Sequence, residues 1–143
     1  MRILVLSLIV VAGGASAAWS QAAQNAPQPP TLDPNNFTGT VTPHVTTDIR
    51  MTRYTFDAGA RSNWHSHEGG QVIIIEKGRM RAHERGGSGK EFGPRETYVV
   101  APGTIHWHGA LPGEPLTQVA LSYGVTTWME RVTDAQYAAA ARK

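Results

Sequence analysis

Four of the six histidines in this chain occur as two closely spaced pairs, His65-Ser66-His67 and His106-Trp107-His108. On a β-strand, residues i and i+2 project from the same face, so the two imidazoles of each pair point the same way. Inward-facing residues of neighbouring strands meet inside a β-barrel, and neutral imidazoles that meet there form a site for a first-row transition metal. The spacing therefore predicts that both pairs lie on strands and that together they form a metal site.

A glutamine follows the first pair at a distance that suits the same site. Gln71 lies four residues beyond His67, and Gly69-Gly70 between them allows the backbone to turn tightly. We therefore expect the amide oxygen of Gln71 to reach the centre that the histidines form.

The elements that would position these residues are short strands. The 15 glycines and nine prolines indicate many turns, and β-rich runs alternate with turn signals from Phe37 onward. The predicted strands are Thr38–Thr42, Thr46–Phe56, Gln71–Glu76, Arg79–Glu84, Thr97–Val100, Leu116–Tyr123 and Thr127–Arg131. Such a series is typical of an all-β sandwich or small barrel. One short helix is predicted over Asp134–Arg142, after the capping box Thr133-x-x-Gln136.

The first 22 residues predict a signal peptide. Met1-Arg2 is followed by an apolar run from Ile3 to Ala12, and small residues at Ala15-Ser16-Ala17 or Ser20-Gln21-Ala22 fit a cleavage site. The apolar run is shorter than the roughly 20 residues that span a bilayer. We therefore expect cleavage and a mature protein that is periplasmic or secreted and has no membrane segment.

The remainder divides into a linker and one domain. Residues 23–36 hold four prolines and no apolar periodicity, so they are predicted to be a disordered linker, and residues 37–143 form the predicted domain. The 13 basic and 11 acidic residues give a formal charge of only +2, which provides no basic surface for nucleic acid. The absence of cysteine excludes disulfides, thiolate metal sites and a cysteine nucleophile. We expect a small-molecule substrate and a homo-oligomer, a dimer or a tetramer.

The residues around the histidines resemble the two sequence motifs of the cupin superfamily. The first motif reads Gly59-x5-His65-x-His67-x3-Gln71-x6-Gly78, and the second runs from Gly93 to His106, with Ala101 where the family usually has proline. The resemblance covers about residues 37–137 and implies a single cupin domain, which is a jelly-roll barrel of six or more strands with a metal inside.

By position, the resemblance implies that His65, His67 and His106 are metal ligands and that Gln71 replaces the usual glutamate. Three neutral imidazoles and a neutral amide leave a divalent ion with its full charge, whereas a carboxylate would reduce it. Such a site favours Lewis-acid chemistry and anion binding over redox chemistry. The hard amide oxygen and borderline imidazoles are compatible with Mn(II), Fe(II), Co(II), Ni(II) and Zn(II).

A narrower resemblance rests on the same histidines and on the C-terminal part of the chain. The run Val100–Ala110 is similar to the small single-domain cupins associated with carboxymuconolactone decarboxylases. Within that group, Gln71, the run His106–Gly109 and the run Trp128–Tyr137 are similar to the manganese-dependent cupin hydroxynitrile lyases. Phe37–Val41 is similar to the N-terminal strand of these lyases. They cleave or form cyanohydrins such as mandelonitrile, so the resemblance implies a lyase that acts on a small carbonyl adduct with Mn(II) as its metal.

Cyanohydrin chemistry requires a base that takes the hydroxyl proton, and His108 is the candidate for this catalytic role. His108 shares a strand face with His106, is not counted as a ligand by the motif, and carries an imidazole that titrates near neutrality. The alternative is that His108 orients a ligand or only packs in the interior.

Two further residues are predicted to bind substrate. Thr52 and Tyr54 share one strand face with Phe56 and line the cavity if that face points inward. The opposite orientation would instead turn Met51, Arg53 and Thr55 inward, which gives a less apolar surface.

Two other functions are compatible with a cupin site. One is a dioxygenase of the quercetin or cysteine type, and the other is a non-catalytic periplasmic protein that binds a sugar or a metabolite. Oxygen uptake would identify the first, and ligand-dependent thermal shifts without turnover would identify the second. Release of benzaldehyde from mandelonitrile without oxygen would identify the lyase.

Overall fold

The computed structural model describes residues 31–141. A short 3-10 turn covers Pro34–Asn36. The strands are β1 (Ile49–Phe56), β2 (His65–His67), β3 (Gln71–Lys77), β4 (Met80–Glu84), β5 (Gly89–Phe92), β6 (Thr97–Val100), β7 (His106–Ala110), β8 (Leu116–Tyr123) and β9 (Thr126–Trp128), and the single helix in this part of the chain is α1 (Asp134–Ala139).

The strands form two antiparallel sheets. One sheet has the order β1-β8-β3-β6 and the other has the order β5-β4-β7-β2-β9. Neighbours in space are mostly distant in sequence, which is the pattern of a jelly roll and not of consecutive hairpins. The structure thus confirms the all-β barrel with a short C-terminal helix.

The core lies between the two sheets because the strands alternate inward and outward residues. β8 alternates buried and half-buried positions along its whole length, and its inward set includes Leu116 and Ala120. These residues pack with Ile73, Ile75 and Met80 in the main apolar cluster. Burial of one such large side chain contributes about 1.5–3 kcal/mol, so this cluster supplies the main stabilisation of the barrel.

A second apolar cluster lies behind the strands that carry the histidines. Trp107 has the opposite parity to its two histidine neighbours and packs against Trp64, with the ring centroids 6.5 Å apart at an angle of 89°. Val132 and Tyr137 complete this cluster from the C-terminal segment. The polypeptide that follows β9 therefore packs on the outer side of β7 and supports the strand that carries His106.

The helix begins as predicted and ends earlier. Thr133 and Gln136 form the predicted capping box, with Thr133 Oγ1 accepting from the Gln136 backbone N–H at 3.1 Å. The helix ends at Ala139, and Arg142 lies outside the described residues. The hydroxyl of Tyr137 donates to the carbonyl oxygen of Ala110 at 2.5 Å, which joins the helix to the end of β7.

Replacing Tyr137 with phenylalanine should lower the free energy of unfolding by about 1–2 kcal/mol. The change removes one buried hydrogen bond and leaves the Ala110 carbonyl without this donor. Urea unfolding measures the loss, and Tyr123→Phe is the control because the described residues contain no hydrogen-bond partner for its hydroxyl. An equal stability of Tyr137→Phe and the parent protein would show that this contact does not stabilise the barrel.

Several predicted strands differ from those in the structure, in their bounds or in whether they form at all. No strand forms at Thr38–Thr42, because Gly39 has a φ of +86°, which breaks the extended conformation, and Phe37 and Val41 are exposed. The strand predicted over Thr46–Phe56 begins at Ile49, and the last strand covers Thr126–Trp128. β5 was not predicted, since the run of glycines before it is typical of a turn.

The N-terminal predictions fall largely outside the described residues. Residues 1–22, the predicted signal peptide, and residues 23–30 of the predicted linker are among those not described. By its contacts the chain divides into one unit that ends at Val45 and a second that begins at Thr46 and contains all nine strands of the described part. Between residues 31 and 141, no helix has the length and apolar character needed to cross a membrane.

Candidate metal centre

The two histidine pairs lie on adjacent antiparallel strands. β2 carries the first pair and β7 the second, and His65 is directly opposite His106 in the register of the two strands. All four imidazoles point into the barrel, where they are between 0% and 4% exposed; the residues are His65, His67, His106 and His108. The alternation of strand residues thus brings both pairs to one interior face, as their spacing predicts.

Three of these imidazoles, those of His65, His106 and His108, bring ring nitrogens close to one another. The rings of His65 and His106 have centroids 4.3 Å apart, and those of His65 and His108 are 5.4 Å apart. One ring nitrogen from each of the three lies within 4.8 Å of the other two, so one ion could contact all three. The His67 ring lies beside this group, with its centroid 5.0 Å from that of His65 and 5.7 Å from that of His106.

Backbone carbonyl groups fix the orientation of two imidazoles. Nδ1 of His65 lies 2.9 Å from the carbonyl oxygen of Asn63, and Nδ1 of His106 lies 3.0 Å from that of Thr104. A carbonyl oxygen only accepts, so each Nδ1 carries the proton and donates it. In a neutral ring the lone pair is then on Nε2, which is the arrangement that metal-binding histidines use.

The amide of Gln71 presents its oxygen to the same centre. Its Nε2 donates to the hydroxyl of Ser122 at 2.9 Å, which leaves Oε1 3.1 Å from Nε2 of His106. Burial lowers the pKa of His106 to about 3, so this ring is neutral and its Nε2 is an acceptor. Two acceptors that face each other at this distance fit a cation that binds both.

His67 contributes a further candidate ligand atom, its Nε2. Its Nε2 is buried and has no hydrogen-bond partner among the described residues, while Nδ1 lies 2.9 Å from Oγ1 of Thr126. Burial lowers the pKa of His67 to about 4, so the ring does not carry a charge at neutral pH. A buried, neutral ring nitrogen with no partner is costly in an apolar interior and favourable as a metal ligand. The donor set therefore fits a divalent transition ion.

His108 is buried beside Gln118 and Phe56. Its Nδ1 lies 3.2 Å from Nε2 of the fully buried Gln118, and its ring packs edge-on against Phe56, with the centroids 5.9 Å apart. Burial, together with the neighbouring imidazoles, lowers the pKa of His108 well below its usual value. The sequence-based expectation of titration near neutrality therefore needs correction, because the imidazole of His108 is uncharged at pH 7.

A cavity of about 260 Å³ opens onto His65, His67 and His108. Tyr54, one of the two predicted substrate-binding residues, lines this cavity, whereas Thr52 is half-buried on the same strand face and is not part of the wall. The inward face of β1 is thus the one that carries Tyr54 and Phe56. The lining residues are Arg50, Tyr54, Phe56, Ser62, His65, His67, Gln71, His108, Ser122 and Trp128.

Some residues of this site were not predicted. Gln118 and Ser122 occupy inward positions of β8, and polar residues in the buried set of an alternating strand are a signal that could have identified them. Arg50 has the same parity as Tyr54 on β1 and could have been included by the same rule. Trp128 lies at the end of the edge strand β9 with 62% of its surface exposed, and no sequence pattern distinguishes it.

The fold and the site together define a jelly-roll protein with a candidate metal centre of imidazoles on two adjacent strands. Comparison with known proteins identifies its family. The cupin domain model matches residues 52–121. A cupin-like protein from Thermotoga maritima is similar with a TM-score of 0.64 and 33% identity, over 67% of this chain and 76% of that one. The chain belongs to the cupin superfamily, which confirms the resemblance of the two motifs.

Two enzymes are also similar to this chain. The (R)-mandelonitrile lyase of Granulicella tundricola is 40% identical over 87 residues, which are 58% of this chain and 66% of that enzyme. The match thus covers slightly less than two thirds of the enzyme. The DMSP lyase of Ruegeria pomeroyi has a TM-score of 0.52 with 17% identity, over 64% of this chain and 48% of that one, and shares the fold alone.

Proposed function

We propose that this cupin is a metal-dependent lyase that cleaves or forms a small carbonyl adduct, with cyanohydrins of the mandelonitrile type as its substrates. One observation carries the proposal: the neutral amide oxygen of Gln71 and the neutral Nε2 of His106 face each other at 3.1 Å beside a small cavity. A centre built only from neutral donors favours Lewis-acid chemistry and anion binding. The similarity to the (R)-mandelonitrile lyase supports this reaction class.

The proposed metal ligands are His65, His67, Gln71 and His106. A divalent ion held there, with Mn(II) favoured and Fe(II), Co(II), Ni(II) or Zn(II) as alternatives, would supply Lewis acidity and an attraction for cyanide. The hydrogen bonds from Nδ1 of His65 and His106 hold the rings in the tautomer that this role requires. Ser122 holds Gln71 so that the amide oxygen faces the centre.

The proposed base is His108. Its ring lines the cavity and is neutral, so it can take the hydroxyl proton of a bound cyanohydrin. The O–H electrons then form the carbonyl bond, the carbon–carbon bond to the nitrile breaks, and cyanide leaves with that electron pair. The proton that His108 holds passes to cyanide, which gives an aldehyde and hydrogen cyanide. The first transfer requires the lone pair on Nε2 of His108, so Nδ1 must carry the proton. The Gln118 amide would therefore turn its oxygen, which has no partner among the described residues, towards the ring to accept the Nδ1–H of His108.

The neighbouring aromatic residues complete the proposed substrate site. Tyr54 and Phe56 form one wall with ring centroids 6.0 Å apart, and Trp128 lies over His65 with centroids 4.7 Å apart. These side chains provide an apolar surface for an aromatic ring beside the centre.

An anaerobic assay with mandelonitrile tests this function. We expect the manganese-loaded protein to release benzaldehyde without oxygen and to lose this activity when a chelator removes the metal. Oxygen consumption that accompanies turnover would favour a dioxygenase. Binding of aromatic ligands by the loaded protein with no benzaldehyde release would favour a non-catalytic binding protein, and either outcome would contradict the lyase.

A further inference from the structure

The cavity wall contains one arginine and no carboxylate. Arg50 is the single charged side chain among the lining residues of the part of the chain that the structure describes, and the three lining imidazoles, those of His65, His67 and His108, are buried and have lowered pKa values. The proposed divalent ion would add further positive charge, with no acidic group to offset it. Such a cavity attracts anions and disfavours cations.

The partners of Arg50 differ from those of the outward-facing arginine on the same strand. Arg53 donates from Nε and Nη2 to the two carboxylate oxygens of Glu76, at 2.8 and 2.9 Å. Arg50 has no carboxylate within 4 Å among residues 31–141. Its guanidinium therefore keeps the charge and the fork geometry that a carboxylate ligand matches.

A hydrogen bond holds Arg50 beside the site. Its Nη2 donates to Oγ1 of Thr126 at 3.0 Å, and the same hydroxyl oxygen lies 2.9 Å from Nδ1 of His67. Because a guanidinium has five N–H donors and this contact occupies one, the others remain for a ligand. This contact places the guanidinium of Arg50 against the wall of the cavity.

Three of the lining residues are aromatic. These residues are Tyr54, Phe56 and Trp128. Trp128 and Tyr54 are 62% and 41% exposed, so their rings are accessible to a ligand. The volume of about 260 Å³ lies just below the range of about 300–1,000 Å³ that drug-sized ligands occupy, so the space suits a single ring. Aromatic walls and one unpaired guanidinium recognise different parts of one ligand.

We propose that this cavity takes small aromatic carboxylates, with the carboxylate on Arg50 and the ring against Tyr54, Phe56 and Trp128. The inference rests on the proposed function for the cavity and its metal, and it narrows the substrate class. The preferred adducts would carry a carboxylate on the aromatic ring, so Arg50 determines specificity and takes no part in the bond-breaking step.

Benzoate and benzamide are matched probes for this proposal, since they differ mainly in charge. Titration calorimetry with the manganese-loaded protein should give a Kd for benzoate about tenfold or more below that for benzamide, the scale expected of charge-assisted hydrogen bonds. Arg50→Gln should remove the preference. Arg53→Gln is the control: it removes the same charge from the opposite face of β1 and should keep the preference.

A second titration, after chelation, separates Arg50 from the metal. The preference should persist in the metal-free protein, with folding checked by circular dichroism. Equal affinities for both probes, no binding of either probe, a preference that survives in Arg50→Gln, or a preference that disappears with the metal would each overturn the inference. If mandelonitrile is not cleaved and the Arg50-dependent preference is present, the proposed reaction fails and the ligand class stands.

Discussion

His108→Ala should lower the turnover of mandelonitrile by about 10²–10⁴-fold, which is the usual contribution of general acid–base catalysis. The metal content should remain close to that of the parent protein, because the four proposed ligating side chains are unchanged. The base is active when neutral, so the rate of the parent protein should rise with pH through the pKa of His108. Burial lowers that pKa, which places this limb of the pH–rate profile below pH 6.5. The limb should be absent in the variant.

The same experiment must distinguish a role of His108 as the base from a role as a metal ligand. A ring nitrogen of His108 lies within 4.8 Å of those of His65 and His106, so His108 could itself be a ligand. Loss of metal together with activity would assign it that role, and wild-type turnover would exclude it as the base. His108→Asn adds a polar substitute that cannot take the proton, and His83→Ala removes a half-buried imidazole outside the cavity as the matched control.

Gln71→Glu should weaken cyanide binding by about tenfold or more while it maintains or strengthens metal binding. A carboxylate is a stronger ligand for a cation than an amide, and its charge repels an anion bound at the same ion. At a separation of about 4 Å and an effective dielectric constant of about 20, two unit charges interact by about 4 kcal/mol, and solvent in the cavity reduces this value. The Kd for cyanide, measured by competition or by the spectrum of a cobalt-loaded protein, gives the result.

Thr97→Glu is the control for this substitution. It adds the same charge at an exposed position of β6, away from the cavity, and should leave the affinity for cyanide unchanged. If Gln71→Glu binds cyanide as tightly as the parent protein does, the neutral ligand set is not the source of anion affinity. The choice of glutamine over glutamate would then need another explanation.

The histidine pairs show how much of the site is predictable from the sequence. The two-residue period of a strand is local, so the common face of each pair follows from spacing alone. Their meeting depends on the pairing of β2 with β7, which are separated by about 40 residues, and the resemblance to the cupin motifs supplied that information. The hydrogen bond between Gln71 and Ser122 joins β3 to β8, and no local pattern predicts it.

The differences in the fold have similar physical causes. Thr38–Thr42 contains residues that favour strands, but Gly39 adopts a positive φ and the extended run is interrupted. β5 pairs with β4 although glycines precede it, since tertiary pairing outweighs weak local propensity. The low pKa of His108 depends on complete burial, which an imidazole at position i+2 of a pair does not reveal.

Metal analysis of the native protein tests the central claim most directly, namely that neutral side chains of β2, β3 and β7 form a metal centre. Protein purified without a chelator should contain about one transition ion per chain. The double variant His65→Ala/His67→Ala should contain almost none, whereas His83→Ala should retain the ion, with folding of both checked by circular dichroism. Absence of metal from the native protein, or full retention by the double variant, would contradict the account.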